Sequence, residues 1–590
     1  MGHPRPRRIA WAATVGLSLT AVVTAPGWPT SALPARAVDT QAPLRGGVLN
    51  VLTTNAVDYL DPNVSYYPVT YGILHAISRQ LYGYRPAAGE TTTPVPDLAT
   101  GMPQVRDHGR VYRVTLRKGV RWDTTSPREV TAADVVRGVE ISCNPAQPSG
   151  AVGDIAPLIA GMTSFCRHFS RVQPTATAIR RFLATHAISG VRATSRHIVV
   201  FRLRRRAGDF PDLLALPVFS PRAKQTLRFV PGSSLADQHT VSDGPYEVAS
   251  YRPVRRLVLT RNPAWRRDTD PLRPAYVNRI VISLTWDAPS GASQIRSGSP
   301  TADLYLGPLP TDLARRRLAA GDPRLVLAPS VTLSPYLVFN TASPNNAGAL
   351  GERRVRRALA FALRRDKLIA AAGGRRLNPP LRHLLPRAVV GSEAFNPFAH
   401  DRSRARRILR DTGATRLTLK FLYRSSSPAQ AALLRATRQT LRRVGISVKG
   451  VPAADADFYT KYLLNPPSAE HGRWDLAAVG WAPDWFGNAA RAIVAPLFDG
   501  RRLPPESSNY GLFDDPTVDA AIDAAGHARG RRAARRWHRV DRLVMADAAA
   551  YPITSPRTAT YRSGRVQDYV FVPAFEAGDL TAVWLQRSGG

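Results

Sequence analysis

One apolar run at the start of the chain constrains everything after it. Arg5, Arg7 and Arg8 precede a stretch, Ile9 to Ala25, that carries no charge before Pro26 and Gly27 break it. A basic lead, an apolar middle and then Ala35-Arg36-Ala37, a small-x-small site, describe a secretory signal over residues 1–37. At 17 residues the run also meets the lower limit of a bilayer span, so an uncleaved anchor stays open as the other reading. No other run approaches that length. The rest of the chain is therefore expected to fold as an exported, water-soluble protein. No Cys lies near the cleavage region, so a lipid-anchor Cys is not expected.

The two Cys residues fit that compartment. Cys143 and Cys166 are the whole complement, 23 residues apart. In an oxidising environment such a pair usually bridges; two buried free thiols are the alternative. Two Cys also exclude a disulfide-dense miniprotein and any four-Cys metal site.

The chain is long and very basic. Its 590 residues exceed what one hydrophobic core supports, so about two to four domains are expected. Lys and Arg together number 81 against 43 Asp and Glu, a net charge of +38. Lys occupies only 118, 224, 367, 420, 449 and 461, so nearly all the positive charge is Arg. The arginines are scattered in pairs and triplets such as Arg204-Arg205-Arg206 and Arg535-Arg536. There is no basic tail, zinc-finger spacing, basic zipper region or RNA-recognition signature. Charge alone speaks to solubility and non-specific attraction, so nucleic acid is not an expected partner.

Periodicity points to mixed α/β structure. Tyr112, Val114 and Leu116 alternate with Arg113, Thr115 and Arg117, as a half-buried strand requires; Val199, Phe201 and Leu203 repeat the pattern. Gly46 to Leu52 reads as a further strand, followed by a turn at Asp61-Pro62-Asn63. Thr131 and Asp134 form a capping box ahead of Val135, Val136 and Val139. A helix is predicted from about Glu352 to Ala372, stopped by Gly373-Gly374, and another from about Arg531 to Ala549.

Common catalytic signatures are missing. The sequence lacks G-x-S-x-G, H-E-x-x-H, the phosphate-binding loop and a dinucleotide fingerprint. No two mature His residues stand four apart. No enzyme activity, cofactor or metal is therefore expected. The informative block is Trp481-Ala482-Pro483-Asp484-Trp485-Phe486-Gly487-Asn488. Three aromatic rings around one Asp suit a pocket in which a carboxylate pairs with a ligand ammonium. A turn Asp beside core aromatics is the plainer reading of the same residues.

Several segments, in order, extend beyond this block. They are Gly46-Gly47-x-Leu49, Tyr59-Leu60-Asp61-Pro62, Leu81-Tyr82-Gly83, Pro96-Asp97-Leu98-Ala99, and Tyr112 through Trp122 running into Val130 to Val136. Then come Asp243-Gly244-Pro245-Tyr246, Leu259 to Trp265, Leu337-x-Phe339-Asn340-Thr341, Val355 to Ala360, and the Trp474–Trp485 block. Together they resemble the extracellular solute-binding proteins of family 5, the oligopeptide- and dipeptide-binding type that serves peptide ABC importers. The resemblance spans nearly the whole mature chain. Thr124-Thr125 departs from it, standing where the family usually has Asp-Gly.

The resemblance implies an α/β, periplasmic-binding-protein-like type II fold: two lobes joined by a hinge, plus an extra third domain. Residues 38–82, 199–335 and 556–590 would form lobe I, 83–198 the extra domain and 336–555 lobe II. In the family an Asp in a W-x-x-D loop pairs with the peptide α-ammonium, which Trp481-x-x-Asp484 matches. Trp481 would wall a side-chain pocket, Trp485 would be a further ligand-binding residue beside it, and Tyr66 and Tyr67 would contact the peptide backbone. The implied function is capture of a short peptide and delivery to ABC permease subunits, by a protein expected to be a monomer. Relatives of this fold also hold non-peptide ligands such as metal chelates and opines. An envelope-associated role with such a ligand, or in envelope assembly, is the alternative.

Overall fold

Alternating segments of the sequence find each other across an antiparallel ladder. Val111–Thr115 runs against Ile198–Arg202, with Tyr112 opposite Phe201 and Val114 opposite Val199, and all four side chains are buried. Gln104–Arg106 and Val191–Ser195 complete a four-stranded sheet. This is a computed structural model, and it describes residues 42–54 and 57–586. The predicted export signal at residues 1–37 lies outside the described residues. Among the described residues no helix is long and apolar enough to cross a membrane.

The helix Ala132–Ile141 packs against this sheet. It starts where the capping pattern places it: the Asp134 carboxylate accepts the Thr131 backbone N–H at 2.9 Å. Arg128 donates to both oxygens of that carboxylate at 2.8 Å. Beyond the helix, the sulfurs of Cys143 and Cys166 are bonded, with Cα atoms 5.1 Å apart.

Two larger sheets organise the remainder. A seven-stranded sheet runs in the order Leu325–Pro329, Arg557–Arg562, Leu304–Tyr305, Val48–Leu52, Arg279–Ser283, Arg256–Arg261, Tyr246–Arg252. A five-stranded sheet runs Ser447–Ala453, Thr418–Arg424, Leu476–Trp481, Leu333–Phe339, Ala550–Pro552. Each is mixed: Val48–Leu52 is parallel to Arg279–Ser283, and Thr418–Arg424 to Ser447–Ala453. Between these two sheets the described chain passes through residues 330–332 and again through 553–556. The two passages are stitched together. Ser330 Oγ donates to the Pro556 carbonyl at 2.7 Å, and the Ser334 N–H to the Thr554 carbonyl at 3.1 Å.

The helix predicted from Glu352 to Ala372 is two helices, Arg353–Ala362 and Arg365–Ala371. Leu363 and Arg364 take extended backbone between them. The break has a tertiary cause: the Leu363 carbonyl turns to the Tyr551 hydroxyl at 3.5 Å, and the Arg365 guanidinium stacks 4.5 Å above the Tyr551 ring. Apolar spacing carries through the break, so periodicity alone does not reveal it. The second predicted helix forms at Gly530–Ala546.

A fully buried charge cluster sits beneath the helix Pro68–Ile77. Arg273 grips Asp97 with Nη1 to Oδ1 at 2.9 Å and Nη2 to Oδ2 at 2.7 Å. Arg79 Nε adds a third bond to the same carboxylate at 2.6 Å, and Asp270 lies against both guanidiniums. Burial would raise the Asp97 carboxyl, but Arg273 and Arg79 outweigh it and hold it well below the usual carboxylate range. Removing one partner of such a cluster strands the others in a desolvated site. Asp97→Asn is therefore expected to destabilise the protein by about 3–5 kcal/mol, measurable as a lowered midpoint of chemical denaturation.

Candidate functional site

Local turn chemistry sets the first wall of the site. The carbonyl of Asp61 accepts from Val64 and Ser65, closing the predicted turn. Asp58 fixes the backbone on the far side of that turn. Its carboxylate accepts from the Ser65 hydroxyl at 2.8 Å and from the backbone N–H groups of Tyr66 at 2.7 Å and Tyr67 at 3.2 Å. Pro68 then opens the helix Pro68–Ile77, needing no amide donor at its first position. Gly150 lies against the Tyr66 ring; a Cβ there would meet ring carbon at 2.6 Å. The Tyr66 side chain is thus held from both sides.

The second wall is the loop after the strand Leu476–Trp481. Its tip is braced at three points. Gly487 takes a φ of +94°, and any Cβ would run into the Asp212 carboxylate at 2.2 Å. The Phe486 N–H donates to the Tyr84 hydroxyl at 3.3 Å, and the two rings meet edge to face. Trp485 is 1% exposed and carries the Arg491 guanidinium 4.8 Å above its ring. Arg491 in turn donates to Asp209 at 2.7 Å. At the base of the loop, Trp481 Nε1 donates to the Ala492 carbonyl at 2.7 Å.

The two walls meet at a hydrogen bond from the Tyr66 hydroxyl to Asp484 Oδ1, 2.7 Å long across 418 residues of sequence. Burial, with a smaller push from Asp154, raises the Asp484 carboxyl to about 6; the Tyr66 bond partly offsets this. Burial first and Asp484 second push the Tyr66 phenol far up, so it stays a donor.

Behind this bond lies a cavity of about 390 Å³, within the range of small-ligand sites. Tyr66, Tyr71, Trp481, Asp484 and Phe486 line one part of it. Ser330, Val331, Thr332 and Pro556, from the two passages between the sheets, line another, with Ser334 of the adjoining strand Leu333–Phe339. Phe571, Pro573, Ala574 and Glu576 close it. Glu576 is a second carboxylate, also raised by burial. No lysine, arginine or histidine is among the lining residues. Among the described residues no group of three or more His, Cys, Asp or Glu could hold a metal ion.

Of the residues singled out by sequence, Tyr66, Trp481 and Asp484 come together on the cavity. Trp485 and Tyr67 do not line it. Trp485 is core, and its role is to hold the loop through Arg491. Tyr67 is 57% exposed and stands just before the helix Pro68–Ile77. Sequence reasoning missed Asp58, Tyr71, Glu576 and the Ser330–Ser334 passage. None carries a local motif; only the fold brings them to one place.

Comparison with known proteins places this geometry. Residues 93–494 match the family described as bacterial extracellular solute-binding proteins, family 5. The chain is 21% identical to heme-binding protein A of Haemophilus influenzae, covering 85% of this chain and 86% of that one. It is 21% identical to the glutathione-binding protein GsiB of Salmonella paratyphi A, covering 81% and 84%. Among solved structures, clavulanic acid biosynthesis oligopeptide binding protein 2 superposes with a TM-score of 0.80 at 25% identity, over 92% of this chain and 96% of that one. The fold is the type II periplasmic-binding-protein-like α/β fold.

The raised Asp484 carboxyl is a cost to the empty protein. A folded-state value above the unfolded one subtracts stability above about pH 6 and ceases to do so below about pH 4. Asp484→Asn keeps an acceptor for Tyr66 and removes the charge. It is expected to stabilise the unliganded protein by about 1–3 kcal/mol at neutral pH, with the gain disappearing in acid. Denaturation midpoints of both proteins across pH check this.

Proposed function

This chain belongs to the bacterial extracellular solute-binding proteins, family 5, and from that premise we propose that it captures short peptides by their free amino terminus and hands them to the permease of an ABC importer. Proteins of this family bind solutes and do not transform them. The observation that carries the peptide reading is Asp484. It is a desolvated carboxylate on a cavity whose lining offers it no cation, with one oxygen already oriented by Tyr66. An ammonium entering that site supplies the missing charge, and in a low-dielectric setting such a charge-assisted bond is strong. The Trp481, Tyr71 and Phe486 rings give the ligand apolar area to cover. Similarity to an oligopeptide-binding protein and a glutathione-binding protein supports the same class.

In this reading the seven-stranded sheet is the core of lobe I, built from 38–82, 199–335 and 556–590. The five-stranded sheet is the core of lobe II, residues 336–555, and 83–198 form the third domain. The passages 330–332 and 553–556 serve as the hinge. Tyr66 and Asp484 approach from opposite lobes, so a ligand contacting both favours the closed arrangement and shifts the population toward it.

Calorimetric titration with a tripeptide and its N-acetylated form tests the reading. The free amine is expected to bind at least tenfold tighter, roughly the worth of one desolvated charge pair, and Asp484→Ala to abolish that difference. An equal loss for both peptides in the variant would sink the ammonium assignment. Affinity for the free-amine peptide should also fall about tenfold from pH 7 to pH 5, because Asp484 with a value of about 6 is then mostly protonated. The Asn variant should show no such fall.

A further inference from the structure

The cavity holds one more charged group than an amino terminus needs. We propose that Glu576 is a second anionic contact, selecting peptides that carry a lysine- or arginine-type side chain in addition to the ammonium at Asp484. This rests on the peptide reading above.

Composition supplies the first observation. Basic residues outnumber acidic ones 81 to 43 in this chain, yet the residues lining the cavity include two carboxylates and no lysine, arginine or histidine. An interior that runs against the bias of the whole molecule marks a cationic occupant. Glu576 is half-buried, and among the described residues its carboxylate has no hydrogen bond and no ion pair. Burial is the sole cause that raises its carboxyl. A partly buried carboxylate without a protein partner has lost some hydration that nothing in the protein replaces, and a ligand cation offsets that loss.

The backbone is committed to this placement. Glu576 has a φ of +48°, a left-handed conformation that costs a non-glycine residue about 1 kcal/mol. Its N–H donates to the Pro573 carbonyl at 3.1 Å. On its flanks, the Phe575 ring lies 5.0 Å from the His75 ring under the helix Pro68–Ile77, and Asp579 reaches the same histidine at 3.2 Å. The loop is therefore pinned on both sides of the glutamate. Asp484 lies on the loop after the strand Leu476–Trp481 and Glu576 on the loop after Phe571–Val572, so the two carboxylates reach the cavity from different elements.

The test uses tripeptides of alanine with a single lysine at the first, second or third position, each matched by norleucine, which keeps the length and removes the charge. At one position the wild-type protein is expected to prefer lysine by about tenfold or more. Glu576→Gln should bring that ratio close to one, chiefly by weakening the lysine peptide, and Glu576→Lys should favour a glutamate peptide at the same position. Asp484→Ala should weaken lysine and norleucine peptides alike. Absence of a lysine preference at every position, or a preference that survives Glu576→Gln in a protein with a normal melting transition, would overturn the role of Glu576 and leave the peptide reading standing. Failure of every free-amine peptide to bind would overturn both.

Discussion

The buried grip of Arg273 and Arg79 on Asp97 is the constraint on which the rest is hung. Charges with no solvent access persist only when every one is answered, and here the answers come from distant parts of the chain. Arg79 follows the helix Pro68–Ile77, Asp97 follows the strand Pro94–Pro96, and Arg273 and Asp270 lie in the loop before Arg279–Ser283. Arg273 also reaches His75, which sits beside Asp579 near the end of the chain. The helix that begins after Tyr67 and the loop that carries Glu576 thus share one electrostatic anchor. Two sides of the cavity are located by a cluster that does not itself line it.

That anchor explains how the site can afford its own unanswered charges. Asp484 is raised to about 6, Glu576 has no partner among the described residues, and Gly487 and Glu576 both take left-handed backbone. The raised Asp484 and the left-handed backbone of Glu576 lower the stability of the empty protein, whereas a glycine at 487 takes its positive φ without that cost. A charge cluster satisfied within the protein thus contrasts with two cavity carboxylates that have no cation among the lining residues. It also separates the basic surface from the function: the arginines that dominate composition lie elsewhere, and two carboxylates dominate the cavity.

Much of the fold was legible from short-range pattern. Alternation located Val111–Thr115 and Ile198–Arg202, and the Thr131–Asp134 spacing located a helix start, because those signals depend on neighbouring residues alone. The aromatic block around one Asp pointed to Asp484 and Trp481, their W-x-x-D spacing gained its meaning from the family resemblance, and Tyr66 came from that resemblance alone. Trp485 misled because an aromatic residue next to a site looks the same in sequence whether it faces the ligand or the core. The break at Leu363 and Arg364 was hidden because its cause, Tyr551, lies far along the chain. Glu576 was hidden more deeply: an acidic residue between Phe575 and Ala577 says nothing until the loop is folded under His75.

The passages at 330–332 and 553–556 are both the links between the two large sheets and part of the cavity lining. If those links act as the hinge proposed above, an occupant of the cavity rests at the fulcrum. For any rotation of one sheet relative to the other about those links, atoms at the fulcrum move least and atoms on the arms move most. In that reading, contacts to Ser330, Thr332 and Pro556 would be kept at every opening angle and would hold the solute without reporting the angle. Discrimination between open and closed falls to groups out on the arms, of which the Tyr66–Asp484 pair is the one already joined. In the reading proposed above, holding and sensing are separated by leverage, with the passages 330–332 and 553–556 serving for the first and the Tyr66–Asp484 contact for the second.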